Sequence, residues 1–172
     1  RPMATTPLFD PPLATATDGD SNAESNKKAS RPGFKKTKVG WIPEGWEIKQ
    51  LQEVGKWRGG STPRKSNEAY WGKTGTPWIS PKDMKETFIG STEDYLTEAA
   101  LQETSAKTIE PRSILLVTRS GILQRTVPIA MNMVRAAINQ DLKALNVSSE
   151  MYDLYVLYAL VGNAKRLLAR TA

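Results

Sequence analysis

Hydrophobic and polar positions change rhythm several times along this chain, and each change predicts an element. Ile114 to Val117 is apolar without a break inside Ser113–Arg119, which suits an interior strand covered on both faces at one end. Val127–Met133 and Leu142–Val147 are two further strand candidates. Thr76–Ser80 reads as a strand with Pro77 near its start, where a missing amide costs little. Trp46 and Ile48 alternate with Glu47 and Lys49, a short edge-strand pattern. Leu51, Val54 and Trp57 recur every third residue, which predicts one or two helical turns ended by Gly59-Gly60. Thr97–Glu103 predicts a short helix, with Thr97 as its cap and Leu96 and Ala100 on one face. The strongest helical pattern runs from Met151 to Ala169, where Leu154, Leu157, Val161, Ala164 and Leu168 repeat at spacings of three and four.

Short strands interspersed with short helices predict an α+β domain built on an irregular mixed or antiparallel sheet. Residues 1–38 break the pattern. They are rich in Pro, Thr, Ala, Ser, Asn and Lys and nearly free of aromatics, so they read as a disordered leader and linker. Ser21-Asn22-Ala23 resembles the remnant of tag cleavage, which sets residues 1–20 aside from functional reading. Order is expected to begin near Val39, with Pro43 holding Ile42 extended and Glu44-Gly45 turning the chain. The domain is therefore placed at residues 39–172. It stops just after its strongest helix with no closing strand, so it reads as a fragment of a longer protein.

Composition narrows the chemistry. The 172 residues contain no Cys and no His, which excludes disulfides, Cys/His zinc sites and Cys or His catalytic centres supplied by this chain. The longest apolar run, Tyr155–Val161, is far too short to span a bilayer, so the cytoplasm is the expected location. There are 24 Lys and Arg against 18 Asp and Glu, a formal charge of +6. A basic balance suits a nucleic-acid partner, but residues 39–172 carry only half of that excess, so any such contact needs a local patch.

The best patch is the turn Gly59-Gly60-Ser61-Thr62-Pro63-Arg64-Lys65-Ser66, a flexible basic segment between aromatic anchors. Arg64 and Lys65 are candidates for phosphate, with Ser61 and Thr62 adding hydroxyl bonds. Lys82, Lys85 and Lys107 are further phosphate candidates near turns. Arg119 ends an apolar strand ahead of Ser120-Gly121. It either presents a bidentate fork to guanine or pairs with a carboxylate to fix its loop. Gln124 and Arg125 extend the same polar loop, where glutamine can pair with adenine. Trp71 and Trp78, together with Trp41 and Trp46, read as core anchors rather than stacking platforms.

In order along the chain stand Val39-Gly40-Trp41-Ile42-Pro43-Glu44-Gly45-Trp46, Gly60-Ser61-Thr62-Pro63, Tyr70-Trp71-Gly72 and Thr76-Pro77-Trp78-Ile79-Ser80-Pro81-Lys82-Asp83-Met84. Pro111-Arg112-Ser113-Ile114-Leu115-Leu116, Thr118-Arg119-Ser120-Gly121-Ile122 and Ala137-Ile138-Asn139-Gln140-Asp141 follow. Each piece is weak alone. Together they resemble a target recognition domain from the specificity subunit of a type I restriction-modification enzyme, over roughly residues 39–160. The resemblance implies a non-catalytic DNA reader. A full subunit would carry two such domains joined by helices, each reading half of a split duplex target. Partner modification subunits would bind S-adenosylmethionine and methylate adenine, and a restriction subunit would cut. No cofactor is expected on this chain itself. Asn139 and Gln140 match a recurring family element, so a structural role is expected, their amides bonding backbone beside the Leu142 strand.

Two rivals stand against DNA reading. One is a subunit-interaction module that docks a DNA methyltransferase through the apolar helix at Leu154–Leu168. The other is a metal-dependent hydrolase using Asp83 and Asp141 with Lys82 or Lys143, although no spacing links those segments.

Overall fold

The computed structural model describes residues 31–169. The leader and tag-remnant readings for residues 1–30 lie outside the described residues. Two compact units divide at Glu47 and Ile48. The first contains a hairpin of β1 (Phe34–Thr37) and β2 (Gly40–Pro43), antiparallel with Thr37 opposite Gly40. Val39, the expected start of order, sits in the turn between these strands. Gly40 adopts a φ of +112°, a conformation open to glycine and strained for a residue with a β-carbon. Glu44-Gly45 forms the expected turn, and the Arg31 guanidinium lies 5.8 Å from the Trp41 ring centre.

The second unit holds two five-stranded mixed sheets where the pattern predicted one. The first sheet runs β3 (Gly55–Gly59), β12 (Leu142–Val147), β9 (Ile114–Val117), β10 (Ile129–Asn132) and β6 (Phe88–Ile89). The second runs β4 (Trp71–Gly72), β7 (Asp94–Leu96), β5 (Thr76–Ile79), β11 (Ala136–Ile138) and β8 (Thr108–Ile109). Pairing is antiparallel except between β6 and β10 and between β5 and β11.

The apolar side chains define the layers. Leu115, Val117, Leu142 and Ala144 from the first sheet form one cluster with Ile79, Ala136, Ile138 and Ile109 from the second, which fills the space between the sheets. Ile114, Leu116, Met131 and Leu145 point the other way and bury against Val156, Leu157 and Leu160 of helix α2 (Asp153–Gly162). The outer face of the second sheet, with Trp78, Leu96 and Ala137, is covered by Ala100 of α1 (Glu98–Glu103) and by Ala106. Strand β9 alternates between two dry interfaces, so all four of its residues are buried. Thr97 caps α1 as expected, its hydroxyl accepting from the Ala100 amide at 3.3 Å.

Three local expectations change. The helix over Leu51–Trp57 shrinks to a single 3-10 turn, Leu51–Glu53, before the chain enters β3. Trp57 lies there opposite Leu145, and its indole donates to the Leu51 carbonyl at 3.1 Å. A spacing of three fits one such turn equally well, and sheet pairing claims the rest. Residues 46–50 form no strand, and Trp46 is 52% exposed rather than a core anchor. The long helix breaks at Gly162-Asn163 into α2 and α3 (Ala164–Leu168), with the Asn163 amide folding back onto the Ala159 carbonyl.

Candidate nucleic-acid interface

The basic turn after β3 is held from several sides, not loose. Gly60 is required by close approach, because a β-carbon there would stand 2.1 Å from the Ile138 carbonyl oxygen and 2.2 Å from that of Asn139. The next amide, Ser61, donates to the Ile138 carbonyl at 3.0 Å. Trp78, only 4% exposed, donates its indole N–H to the Ser61 carbonyl at 3.1 Å, and Trp71 donates to the Arg64 carbonyl at 3.2 Å. The two rings meet edge to face, with centres 5.1 Å apart. Both tryptophans therefore anchor the turn at its two ends, and the flexibility expected of Gly59-Gly60 gives way to a fixed backbone.

Lys65 and Lys82 turn back into the protein. The Lys65 ammonium lies 3.8 Å from the Trp71 ring centre and 4.5 Å from that of Trp78, and bonds to the Asp94 carboxylate at 3.1 Å. Lys82 reaches Glu93 at 2.9 Å and the same Asp94 oxygen at 3.3 Å, and Lys85 lies 3.7 Å from Glu93. Hydrogen bonding to Glu93 raises the Lys82 pKa, and the Lys82 bond lowers that of Glu93. Burial pushes the Asp94 carboxyl up, but the bond from Lys65 and the two ammonium charges outweigh it and hold the group below its ordinary value.

On the other side the turn meets a second loop. The Thr62 hydroxyl bonds to the Gln140 side-chain carbonyl. Arg119 donates from Nη2 to the Gln140 backbone carbonyl at 2.9 Å and lies 3.7 Å from the Asp141 carboxylate. The Asp141 carbonyl in turn accepts from the Thr118 amide at 2.8 Å and the Arg119 amide at 3.3 Å. Asn139 is buried, and its side-chain oxygen accepts from the Asp141 amide at 2.9 Å. Residues 61–62 and 118–119 thus converge on the Asn139-Gln140-Asp141 turn. Of the two open readings for Arg119, the geometry carries the carboxylate and carbonyl contacts, yet the side chain is still 66% exposed.

The other candidates separate by access. Arg64, Gln124 and Arg125 are exposed, and neither arginine has a side-chain bond or ion pair among the described residues. Ser120 caps the short Gly121–Gln124 turn through the Ile122 amide. The Ser61 hydroxyl is buried and has no hydrogen-bond partner among the described residues, so it is not presented to a phosphate. Asp83 and Asp141 are used locally. Asp83 accepts from the Ser80 amide, the Ser80 hydroxyl and the Glu93 amide at 2.8, 2.8 and 3.1 Å. Among the described residues no group of three or more His, Cys, Asp or Glu is placed to hold a metal, and no helix is long and apolar enough to cross a membrane.

Sequence reasoning missed Asp94 and gave Tyr70 no role beyond its place in the Tyr70-Trp71-Gly72 motif. Asp94 binds both lysines, and Tyr70 bonds to Glu103 at 3.1 Å beside the turn. A carboxylate 29 residues from its lysine leaves no periodic signal; only the fold brings them together.

Known proteins agree with this architecture. The type I restriction modification DNA specificity domain family matches residues 43–170. The EcoR124I/EcoR124II specificity subunit of Escherichia coli is 38% identical over 159 residues, 92% of this chain and 39% of that protein. The MjaIX specificity subunit of Methanocaldococcus jannaschii is also 38% identical, over 92 residues, 52% of this chain and 21% of its own length. The crystal structure of the HsdS subunit from Thermoanaerobacter tengcongensis shares the fold with a TM-score of 0.60 at 18% identity, over 78% of this chain and 32% of that one. The chain therefore spans well under half the length of these relatives. With a family match across most of its residues, it belongs to the type I restriction modification DNA specificity domain family.

Proposed function

We propose that this domain binds duplex DNA sequence-specifically and reads one half of a bipartite target for a type I restriction-modification complex. The observation that carries the reading is the junction at Gln140, where Thr62 and Arg119 draw two loops far apart in sequence onto one surface. Arg64 and Arg125 on those loops are free to neutralise phosphates. Arg119 and Gln124 offer the donor and acceptor groups that base edges require. Pre-ordering by Trp71, Trp78 and Gly60 supports specificity, because a rigid loop loses less entropy on binding. The chain acts as a reader without catalysis. Methyl transfer belongs to partner modification subunits carrying S-adenosylmethionine, and cleavage to a restriction subunit.

Selection from a randomised duplex pool at moderate salt, with circular dichroism to confirm folding, tests this. An enriched short half-site is expected. A folded domain that enriches nothing overturns independent reading.

The docking alternative has its own observation. Leu157, the natural residue to mutate on that view, is fully buried against the first sheet, so its loss would damage the fold. The outward half of α2 instead exposes Tyr155, Tyr158 and Val161, with Tyr152 at the helix start. Copurification with a modification subunit, lost on Tyr158→Ser with DNA binding intact, would favour docking by this helix.

A further inference from the structure

The edge of the first sheet carries a second set of cations that the proposed reading does not use. Strand β3 is an edge strand, and its Trp57 packs toward α2, so Lys56 and Arg58 project toward the side facing the second sheet. They line a cavity of about 250 Å³ together with Thr108, Ser113 and Asn146. Beyond Thr108, which lies on β8 at the edge of the second sheet, the cations continue through Arg135, whose Nε donates to the Thr108 hydroxyl at 3.1 Å, to Lys107. All four cations are exposed, and none forms an ion pair among the described residues. The carboxylates along this edge are Glu110 and Glu98. Lys65, Lys82, Lys85, Arg112 and Arg119, by contrast, all have acidic partners.

We infer that this β3–β8 edge is a second phosphate-contact strip, along which the backbone of duplex DNA runs after leaving the Gln140 junction. The inference rests on the DNA-binding reading and extends its footprint. Spacing supports it. Alternate residues of a strand stand about 6.6 Å apart, close to the roughly 6.8 Å of axial rise between every second phosphate of one DNA strand. Continuity supports it as well, since Arg58 is separated from the anchored Gly60-Ser61 turn by Gly59 alone. Thr108 and Asn146 add neutral polar groups of the kind that meet phosphate oxygens. A strip of this type adds affinity and salt dependence without adding sequence information.

The experiment compares the full chain with the double variant Lys56→Gln, Arg58→Gln on a duplex of arbitrary sequence and on the duplex recovered by pool selection, from 50 to 200 mM salt. The expected result is a slope of log K against log salt shallower by about 1.8 on both duplexes, with base preference unchanged. The Lys56→Arg, Arg58→Lys exchange keeps the slope. Lys165→Gln, at an exposed cation of α3 beside the α2 face of the first sheet, keeps it too. Melting curves confirm that each variant folds. An unchanged slope in the Gln variant overturns the strip while leaving the reading at Gln140 intact. Unchanged slope with new self-association would assign Lys56 and Arg58 to protecting a bare sheet edge. Loss of slope on arbitrary duplex, with no sequence enriched by the wild-type chain, supports the strip and overturns the reading. A chain that binds no duplex overturns both.

Discussion

Two corners of this domain hold cations in opposite ways. At the Trp71–Trp78 corner, Lys65 and Lys82 share the Asp94 carboxylate, and one of them lies over two indole rings. At the Gln140 junction, Arg119 is tied mainly to a backbone carbonyl, and farther along the two loops that meet there Arg64 and Arg125 are bound to nothing among the described residues. Arg64 and Lys65 are adjacent in sequence, yet one faces outward and the other closes a structural contact. The difference teaches that a basic turn is not a uniform patch. Its lysine is spent on shaping the loop that displays its arginine.

The sharpest way to break this contrast is at the shared backbone support. Gly60→Ala places a β-carbon against two carbonyl oxygens and should destabilise the domain by about 3 kcal/mol, because backbone rather than a flexible side chain must yield. Thermal or urea unfolding checks it, and a variant as stable as the parent would show that the turn is loose after all. Trp78→Phe is next in size. It removes the bond to the Ser61 carbonyl and replaces one indole of the edge-to-face pair with a smaller ring, at an expected cost of about 2 kcal/mol by the same measurement.

How much of this was legible beforehand follows from which contacts are local. Strand β9 and the Thr97 cap could be read because an apolar run and a capping hydroxyl are signals within a few residues. Trp71 and Trp78 were recognisable as anchors, but their targets, the Ser61 and Arg64 carbonyls, depend on where the turn goes. Gly60 was read as part of a flexible turn, since sequence cannot distinguish a glycine chosen for freedom from one chosen for a neighbour 2.1 Å away. The second sheet escaped notice because β4 and β8 have two residues each, too few for alternation to register.

A binding comparison separates the two corners functionally. Arg64→Gln with Arg125→Gln should leave the melting temperature within about 1 °C and make the salt slope shallower by about 1.8. Lys65→Gln should do the reverse, lowering stability by about 1 kcal/mol while its direct effect on the slope is small. Equal slope losses would mean that Lys65 meets DNA despite its carboxylate.

The smallest effect is also the most specific to the Asp94 corner. Asp94 has a folded pKa below its ordinary 3.8, so its charge contributes stability that is complete above that value and fades as pH falls through the lower folded pKa. Lys82 has a folded pKa above its ordinary 10.5, so its share is complete below that value and fades as pH rises through the higher one. Asp94→Asn removes the carboxylate that both lysines approach. The melting temperatures of parent and variant should therefore differ by about 1–3 °C at neutral pH, a modest gap because these groups are partly exposed and screened. That gap should close toward pH 3 as the parent's carboxyl is neutralised, and narrow again above pH 11. Salt at 1 M should shrink it as well, since screening acts on the same charges. A gap constant from pH 3 to 11 would mean that Asp94 acts by packing alone. Lys65 would then owe its position to the two indole rings, and the corner would differ from the Gln140 junction in shape rather than in charge.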